Sequence, residues 1–336
     1  MWKTMQEVPM ANDRSRWVAR AMALTVAFLV WEAQPPPCTA SQTATSSGTP
    51  LRLGLLPVTD VVPFYIAQEQ GYFEREGVRV ELIPVASAVE RDQLMITRQI
   101  DGQLNDLIST VLFNAEQPRI VVVRKARCAF RDAPQIFILA AKESGIRSVN
   151  DLKGVEIAIS ENSQIAYVTE RLLQRQGFSA AEIRTLNVAQ IPTRFQLLAK
   201  GQVKAAALPD PLASLAMLQG ASRVIDDSLH PEISLSVITF RREVASGRSG
   251  EVRRLLAAYD RAVEDIRRRP EAFQNLLIEK ARVPEPLRDR YRFPPLPDPS
   301  VPTQGQWDDV VRWALDKGLI KKPAPYEGSV ASEFIR

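Results

Sequence analysis

Residues 53–85 read LGLLPVTDVVPFYIAQEQGYFEREGVRVELIPV. An apolar run opens the stretch and Pro57 closes it. A loop carrying Thr59 and Asp60 follows. Residues 62–70 then place apolar side chains at helical spacing until Gly71, and residues 78–85 return to the alternating character of a strand. Strand, loop, helix and strand in this order are the start of a βαβ unit, which requires parallel pairing.

The same alternation extends outward. A helix is predicted over 88–97, a short buried strand over 102–104, a helix over 107–115 and a strand over 120–124. A second block repeats the plan. It has strands at 135–141, 155–160, 183–188, 203–208 and 223–225, with helices at 165–176, 193–200 and 211–218 between them. The segment 234–241 alternates and is expected to return to the first block. The remainder reads as helices over 251–268, 271–281 and 303–317, the last two separated by a Pro-rich stretch.

The two blocks echo each other. RQIDGQLNDLIS (98–109) resembles GQVKAAALPDPLAS (201–214). Each passes from a helix end through Gln and a β-branched residue into a strand of small or apolar residues, and then reaches Asp at a strand-to-helix turn. Two lobes on one plan, joined by crossing strands, would bind a ligand between them, where strand ends and helix N-termini gather.

Composition excludes several classes. The chain has 336 residues, 45% hydrophobic and 24% charged, which argues against a disordered polymer, a collagen-like rod and a polytopic membrane protein. A core of this size needs neither disulfide nor metal. The formal charge of +4 is weak for such a length, so no nucleic-acid partner is expected. Two cysteines, Cys38 and Cys128, and a single histidine, His230, put zinc-ligand sets out of reach. No cofactor is expected.

The N-terminus reads as an export signal. RSRWVAR (14–20) is basic, AMALTVAFLVW (21–31) is apolar and too short to span a membrane, and prolines 35–37 lead into Cys38 and a Ser/Thr-rich tract. Residues 1–40 are assigned as a signal peptide and 41–50 as a linker. Cleavage after Cys-Thr-Ala and lipidation of Cys38 both remain open, and a lipid anchor there is the one membrane contact envisaged.

Several phrases together resemble a known family. PFYIAQEQGYFEREGV near the start, SVNDLKGVEIAIS (148–160) and KGQVKAAALPDPLASLA (200–216) are similar to segments of type II solute-binding proteins of ABC importers. The likeness is to the branch that binds nitrate, sulfonates and taurine, and thiamine-pyrimidine precursors. It implies an α/β, two-lobed periplasmic-binding-protein type II fold, each lobe a mostly parallel sheet flanked by helices. Residues 51–138 and 234–336 would form lobe 1, and 139–233 lobe 2. It further implies an exported, periplasmic or membrane-associated receptor, monomeric, that captures a small organic solute and delivers it to ABC permease subunits. The chain has no Walker-type phosphate loop, which separates it from the ATPase of such a system.

Each candidate binding residue has a structural alternative. Thr59 and Asp60 lie in the first loop and either contact the ligand or cap the next helix. Ser87 and Ala88 start a helix; exposed N–H groups there suit an anion or carbonyl, while Ser87 with Glu90 also forms a capping box. Asn105, Asp106 and Ser109, with Thr110, occupy the first echoed turn. Asp210 occupies the second, flanked by Pro209 and Pro211, where capping is favoured. Glu161, Asn162, Ser163 and Gln164 form the densest polar cluster of the second block, read as a hydrogen-bonding rim. Arg194 opposes the dipole of its helix and therefore needs another partner, with a neighbouring acid preferred over a ligand anion. Phe64, Tyr65 and Tyr167 offer either a stacking face or core. Trp307 and Trp313 are expected to dock the last helix on the first lobe, and His230 to sit in a surface turn.

The acidic and amide-rich loops place a nitrogen-rich solute, such as a vitamin or its precursor, ahead of a sulfonate or other oxyanion. An oxyanion would require backbone N–H groups and Arg194 to dominate. Two further classes stay open. One is a secreted enzyme on the same fold, although a Ser-His-Asp triad could use only His230 and the related pyrimidine synthases need a histidine and a cysteine-rich motif. The other is a solute sensor without an importer.

Overall fold

The computed structural model describes residues 48–335. The stretch expected to be a signal peptide (1–40), with the lipidation candidate Cys38, and residues 41–47 of the expected linker lie outside the described residues.

The first sheet is built from β1 (Leu51–Leu55), α1 (Val62–Glu69), α2 (Tyr72–Arg75), β2 (Val80–Pro84), α3 (Ala88–Ile96), β3 (Gly102–Asp106), α4 (Leu107–Phe113) and β4 (Ile120–Cys128). The chain then crosses over. β5 (Ile136–Ala140), β6 (Glu156–Ile159), α5 (Gln164–Arg175), β7 (Arg184–Asn187), α6 (Ile191–Ala199), β8 (Ala205–Pro209), α7 (Leu212–Leu218) and β9 (Ser222–Asp226) make the second sheet and its helices. It returns as β10 (Leu235–Arg241), followed by α8 (Arg242–Gly247), α9 (Ser249–Arg268), α10 (Gln274–Lys280) and α11 (Gln304–Asp316).

Both sheets have five strands, in the orders β2-β1-β3-β10-β4 and β7-β6-β8-β5-β9. The two orders correspond strand for strand, and the fourth place in each is antiparallel. β10 runs against β3 and β4, and β5 against β8 and β9. These are the two strands that enter from a crossing, so each arrives at the end where the parallel strands finish. The expected boundary between residues 138 and 139 falls inside β5. That strand belongs entirely to the second sheet, because it bonds β8 from Ile136 through Ala140.

Sequence explains the central strands. Leu51, Leu53 and Leu55 of β1 and nearly all of β5 and β8 are buried, as continuous apolar runs must be when helices cover both sheet faces. β3 runs two residues beyond the expected strand, because Asn105 and Asp106 pair with Val237 and Ser236 of β10. α9 presents one apolar stripe to α1, where the Phe64 and Tyr259 rings sit 4.6 Å apart.

The final helix departs from expectation. Trp307 and Trp313 are buried, but α11 does not rest on the first sheet's elements alone. It packs on α4 and also on α5 of the second sheet, where Trp313 Nε1 donates to Glu170 (2.9 Å) and the Tyr167 and Trp313 rings meet edge to face. Asp309 accepts from Tyr167 Oη (2.6 Å) and Arg171 Nε (2.9 Å). No helix among the described residues is long and apolar enough to cross a membrane.

Candidate functional site

The strand order dictates where a site can form. The C-terminal ends of the parallel strands and the entering ends of β5 and β10 from both sheets meet around one cavity of about 120 Å³. From the first sheet it is bordered by Asp60 after β1, Ser87 and Ala88 at the start of α3, Asn105 and Asp106 at the end of β3, and Arg127 near the end of β4. From the second come Gln135 before β5, Ser163 and Gln164 at the start of α5, Arg194 on α6, and Asp210 after β8. Eight of the twelve candidates read from sequence therefore line one hollow. A larger depression of about 1160 Å³ lies at the far end of the first sheet, beside Ile96, Arg119 and Arg242. None of the described buried polar atoms that lack a partner belongs to its lining.

Four candidates stay off the cavity. Thr59 is buried, with its Oγ1 3.1 Å from Tyr291 Oη. Ser109 Oγ donates to Asp92 (3.0 Å). Glu161 and Asn162 are exposed; Asn162 takes the left-handed conformation (φ 53°) in a solvated turn, so only Ser163 and Gln164 of that cluster face the cavity. Phe64 and Tyr167 are core residues and Tyr65 is half-buried under Lys280, so none offers a stacking face to the cavity.

Several lining side chains also cap helices. Ser87 accepts from the Glu90 N–H (3.1 Å) while Glu90 returns to the Ala86 N–H (2.7 Å). Asp106 accepts from the Ser109 N–H (2.8 Å), Asp210 from the Ser214 N–H (3.0 Å), and Ser163 from the Ile165 N–H (3.2 Å). Capping fixes these groups in place without removing their remaining lone pairs from the cavity.

The charges are arranged unequally between the halves. Asp60 is spent within the protein: it accepts from Arg127 Nη1 (3.1 Å), Gln135 Nε2 (3.3 Å) and Ser236 Oγ (2.6 Å). Arg91 and Arg194 are counterparts, each the fourth residue of the helix after the outermost strand. Each donates to a carbonyl near the end of the third-placed strand, Arg91 to Leu104 (3.2 Å) and Arg194 to Ala207 (2.7 Å). Arg91 is neutralised by Asp92 (2.8 Å) and faces Asp106 at 3.8 Å.

Arg194 has no such partner. The acid expected beside it is absent among the described residues. Its Nε and Nη1 are held by the Ala207 and Val188 carbonyls, and Nη2 bonds to nothing. The side chain is fully buried, and that burial alone lowers its pKa to about 10. Asp210, the counterpart of Asp106, also lacks a cation within 4 Å among the described residues, and burial pushes its carboxyl up. Burial likewise raises Asp106, against the pull of Arg91.

Unpartnered buried atoms cluster here. Arg194 Nη2, Gln164 Nε2, Arg127 Nε and Arg91 Nη2 are donors without hydrogen-bond acceptors, although Arg91 Nη2 keeps its ion-pair contact with Asp92; Asn105 Oδ1 and Gln135 Oε1 are acceptors without donors. Buried polar atoms are nearly always bonded, so such a group concentrated in one cavity marks the place of a polar solute or ordered water. Sequence reading missed Arg91, Arg127, Gln135 and Ser236. The dipole argument that singled out Arg194 applies equally to Arg91, and Arg127 was visible as a charge inside the apolar strand IVVVRKARC.

Residues 58–273, more than half of the chain, match the family model described as NMT1/THI5 like. A putative aliphatic sulfonates-binding protein of Escherichia coli (strain K12) is 30% identical over 156 residues, covering 46% of this chain and 48% of that protein, so the match spans about half the relative's length. Among solved structures, the alkanesulfonate-binding protein of Xanthomonas axonopodis pv. citri bound to MOPS superposes with a TM-score of 0.72 at 20% identity, covering 85% of this chain and 99% of that one. A desulfurization enzyme superposes with a TM-score of 0.65 at 16% identity, covering 84% and 97%. At these identities the structural likeness establishes the fold: the two mixed sheets are those of a type II binding protein, and the same scaffold also carries an enzyme.

Proposed function

The chain belongs to the NMT1/THI5-like family, and from that premise we propose that it is an exported receptor for a small organic oxyanion, a sulfonate in the first place. The solute would be captured between two lobes, hinged at residues 129–135 and 227–234, and passed to ABC permease subunits. The carrying observation is Arg194, a buried guanidinium with one free N–H edge in the interlobe cavity, whose structural counterpart Arg91 is neutralised internally. A buried charge without a partner is costly, and an anionic solute would supply what the fold leaves out.

This reverses the ranking drawn from sequence. Asp60 and Asp106, two of the acids in the loops that favoured a nitrogen-rich solute, are occupied by Arg127, Arg91 and backbone N–H groups. The N-termini of α3, α5 and α6 border the cavity and add positive potential on the same side of the balance. Its volume, well below the roughly 300–1,000 Å³ of drug-sized pockets, suits a solute of few heavy atoms.

Receptor is preferred over enzyme. Cys128 lies off the cavity lining, and burial raises its thiol pKa, which leaves little thiolate for nucleophilic chemistry. Calorimetry and thermal shift with C1–C4 alkanesulfonates, against hydroxymethylpyrimidine, test the reading. A ligand at a hundredfold excess over its Kd stabilises by about 2.7 kcal/mol, enough to move Tm visibly. Sulfonates should bind and Arg194→Gln should weaken them at least tenfold, with Gln164→Ala as a milder companion. Binding of the pyrimidine alone would overturn the oxyanion assignment, and turnover of a bound sulfonate would overturn the receptor assignment.

A further inference from the structure

The two faces of the second sheet meet the first half of the molecule in different ways. One face carries α5, and α5 is fastened to α11. Asp309 accepts from Tyr167 Oη (2.6 Å) and Arg171 Nε (2.9 Å), while Glu170 accepts from Trp313 Nε1 (2.9 Å) and pairs with Lys317 (2.6 Å). Val111 of α4, Leu172 of α5 and Trp307 of α11 share one apolar core beneath these bonds. The other face carries α6 and α7. It is met by residues 285–295, beginning with the turn Glu285–Leu287, which packs on α7. Among the described residues, no hydrogen bond or ion pair joins this segment to residues 136–226.

The segment is a strap rooted in the first half. The Tyr291 carbonyl accepts from Gln274 Nε2 (2.7 Å), the Leu296 carbonyl from Arg267 Nη2 (2.8 Å), and Tyr291 Oη lies 3.1 Å from Thr59 Oγ1. Residues 291–303 form neither helix nor strand, and prolines at 294, 295, 297, 299 and 302 fix their own φ angles and stiffen the run. Beside the strap lies a depression of about 450 Å³, lined by Tyr291, Phe293 and Phe137. Arg127 and Asp210 line both this depression and the interlobe cavity, so the two spaces stand back to back with these side chains as a common wall. Tyr291 belongs to that wall: burial and then the charge of Asp210 raise the pKa of its hydroxyl. The wall also keeps polar capacity in reserve. Arg127 Nε has no partner, and Ser214 uses only one oxygen of Asp210.

We propose that the halves part on the strap side alone, pivoting on the crossings and on the α5–α11 contact, and that Tyr291 is the gate through which the solute enters and leaves the cavity. Opening the other flank would strip the buried Glu170 of its partners and wet an apolar core, and each of those losses costs free energy. Parting the strap from α7 breaks no hydrogen bond. The role of Tyr291 in solute exchange rests on the oxyanion-receptor reading; the direction of opening does not.

Two measurements test this. The first needs no solute. Spin labels are placed across the strap flank (Gln219→Cys with Arg290→Cys) and across the other flank (Gln174→Cys with Arg312→Cys), with Cys38 and Cys128 replaced by Ser; all four labelled positions are exposed. The distance distribution of the strap pair should be at least about twice as broad as that of the α5–α11 pair. Equal widths, or a broader α5–α11 pair, would overturn the one-sided opening. The second measurement is stopped-flow binding of ethanesulfonate. A gate acts on entry and exit alike, whereas a lost contact acts mainly on exit. Tyr291→Ala should therefore raise both rate constants about tenfold and leave Kd within about threefold, with a smaller rise for Tyr291→Phe, which keeps the ring and loses the bond to Thr59. Faster exit with unchanged entry would make Tyr291 a solute contact and overturn the gate. If ethanesulfonate fails to bind at all, the oxyanion reading and the gate built on it fall, and the label distances still decide the direction of opening.

Discussion

Asp227, on the returning crossing, accepts the backbone N–H groups of Gln135 (2.8 Å) and Ile136 (3.1 Å) on the outgoing one. The same carboxylate takes the hydroxyl of Ser234, so one fully buried side chain ties together the two strands that join the sheets. Asp60 reaches the same place from the first loop, through Gln135 and Ser236. The connection between the halves is therefore a polar network that also forms one wall of the cavity, through Gln135, Asp60 and Ser236.

Asp227 should make stability depend on pH in the unusual direction for a carboxylate. Burial pushes its pKa up to about 6, against the lowering effect of its hydrogen bonds and of Arg127. The native state then takes up a proton before the unfolded chain does. The stabilisation is full below the unfolded value near 4 and is lost as pH rises through about 6, with a size on the order of 3 kcal/mol. Urea unfolding at pH 4.5 and 7.5 should show this dependence in the parent chain and a flatter one in Asp227→Asn. Identical slopes in both would remove Asp227 from the account.

The Asp60–Arg127 contact should behave as a coupled buried pair. Both side chains are almost completely buried, and Asp60 has three donors. Removing either partner strands a charge, at a cost of about 3–5 kcal/mol. Asp60→Asn and Arg127→Met should each destabilise strongly, while the double variant should cost clearly less than their sum. A double-mutant cycle in urea measures the difference, and strict additivity would mean the pair does not act as one.

Much of the fold was legible because the chain alternates cleanly. Leu51–Leu55, Val62–Glu69 and Val80–Pro84 lie where apolar spacing, Pro57 and Gly71 put them. The echo of 98–109 in 201–214 announced two equivalent sheets, and the structure gives them the same strand order. What did not show was pairing over long separations. Asp60 and Arg127 are 67 positions apart and Asp60 and Ser236 are 176 apart, so no local spacing signals that Asp60 is already neutralised. Asp60 and Asp106, two of the acids in the loops read as suited to a nitrogen-rich ligand, were judged by their loops, whereas their charge is decided by arginines on α3 and β4. Glu161 and Asn162 failed for a different reason. A polar cluster at a strand end has both a cavity side and a water side, and only backbone geometry, here the left-handed Asn162, assigns each residue to one of them.

Asp309 should be the weak point of the contact between the last helix and the second sheet's helices. It receives Tyr167 Oη and Arg171 Nε, while its own side chain stays about one-third exposed. Charge-assisted bonds of this kind contribute about 1.5–3 kcal/mol when buried and less with this exposure. Asp309→Ala should lower stability by about 1–2 kcal/mol and speed hydrogen exchange in α5 and α11 together. Faster exchange in α11 alone would mean that α5 is held by its sheet and not by this residue.

Two glycines in the first sheet differ in what surrounds them, and the difference should be measurable. A methyl group at Gly102 would lie 2.7 Å from two carbons of the Phe240 ring and 2.8 Å from Leu53 Cδ2. A ring clamped in a fully buried strand cannot turn aside without moving β10. At Gly54 the close atom is Ile100 Cδ1, also at 2.8 Å, but this is the free end of a flexible side chain. Gly102→Ala should therefore carry an overpacking cost of about 1–3 kcal/mol, and Gly54→Ala distinctly less, since a rotamer change at Ile100 relieves it. Because β3 also carries Asn105 and Asp106 to the cavity, a shift of β10 at Phe240 would be transmitted to Ser236 and the Asp60 network at its other end. Gly102→Ala should then weaken solute binding as well as stability, and Gly54→Ala should leave binding close to that of the parent. Equal losses for the two variants in chemical unfolding and calorimetry would mean that the sheet absorbs a methyl group at either place.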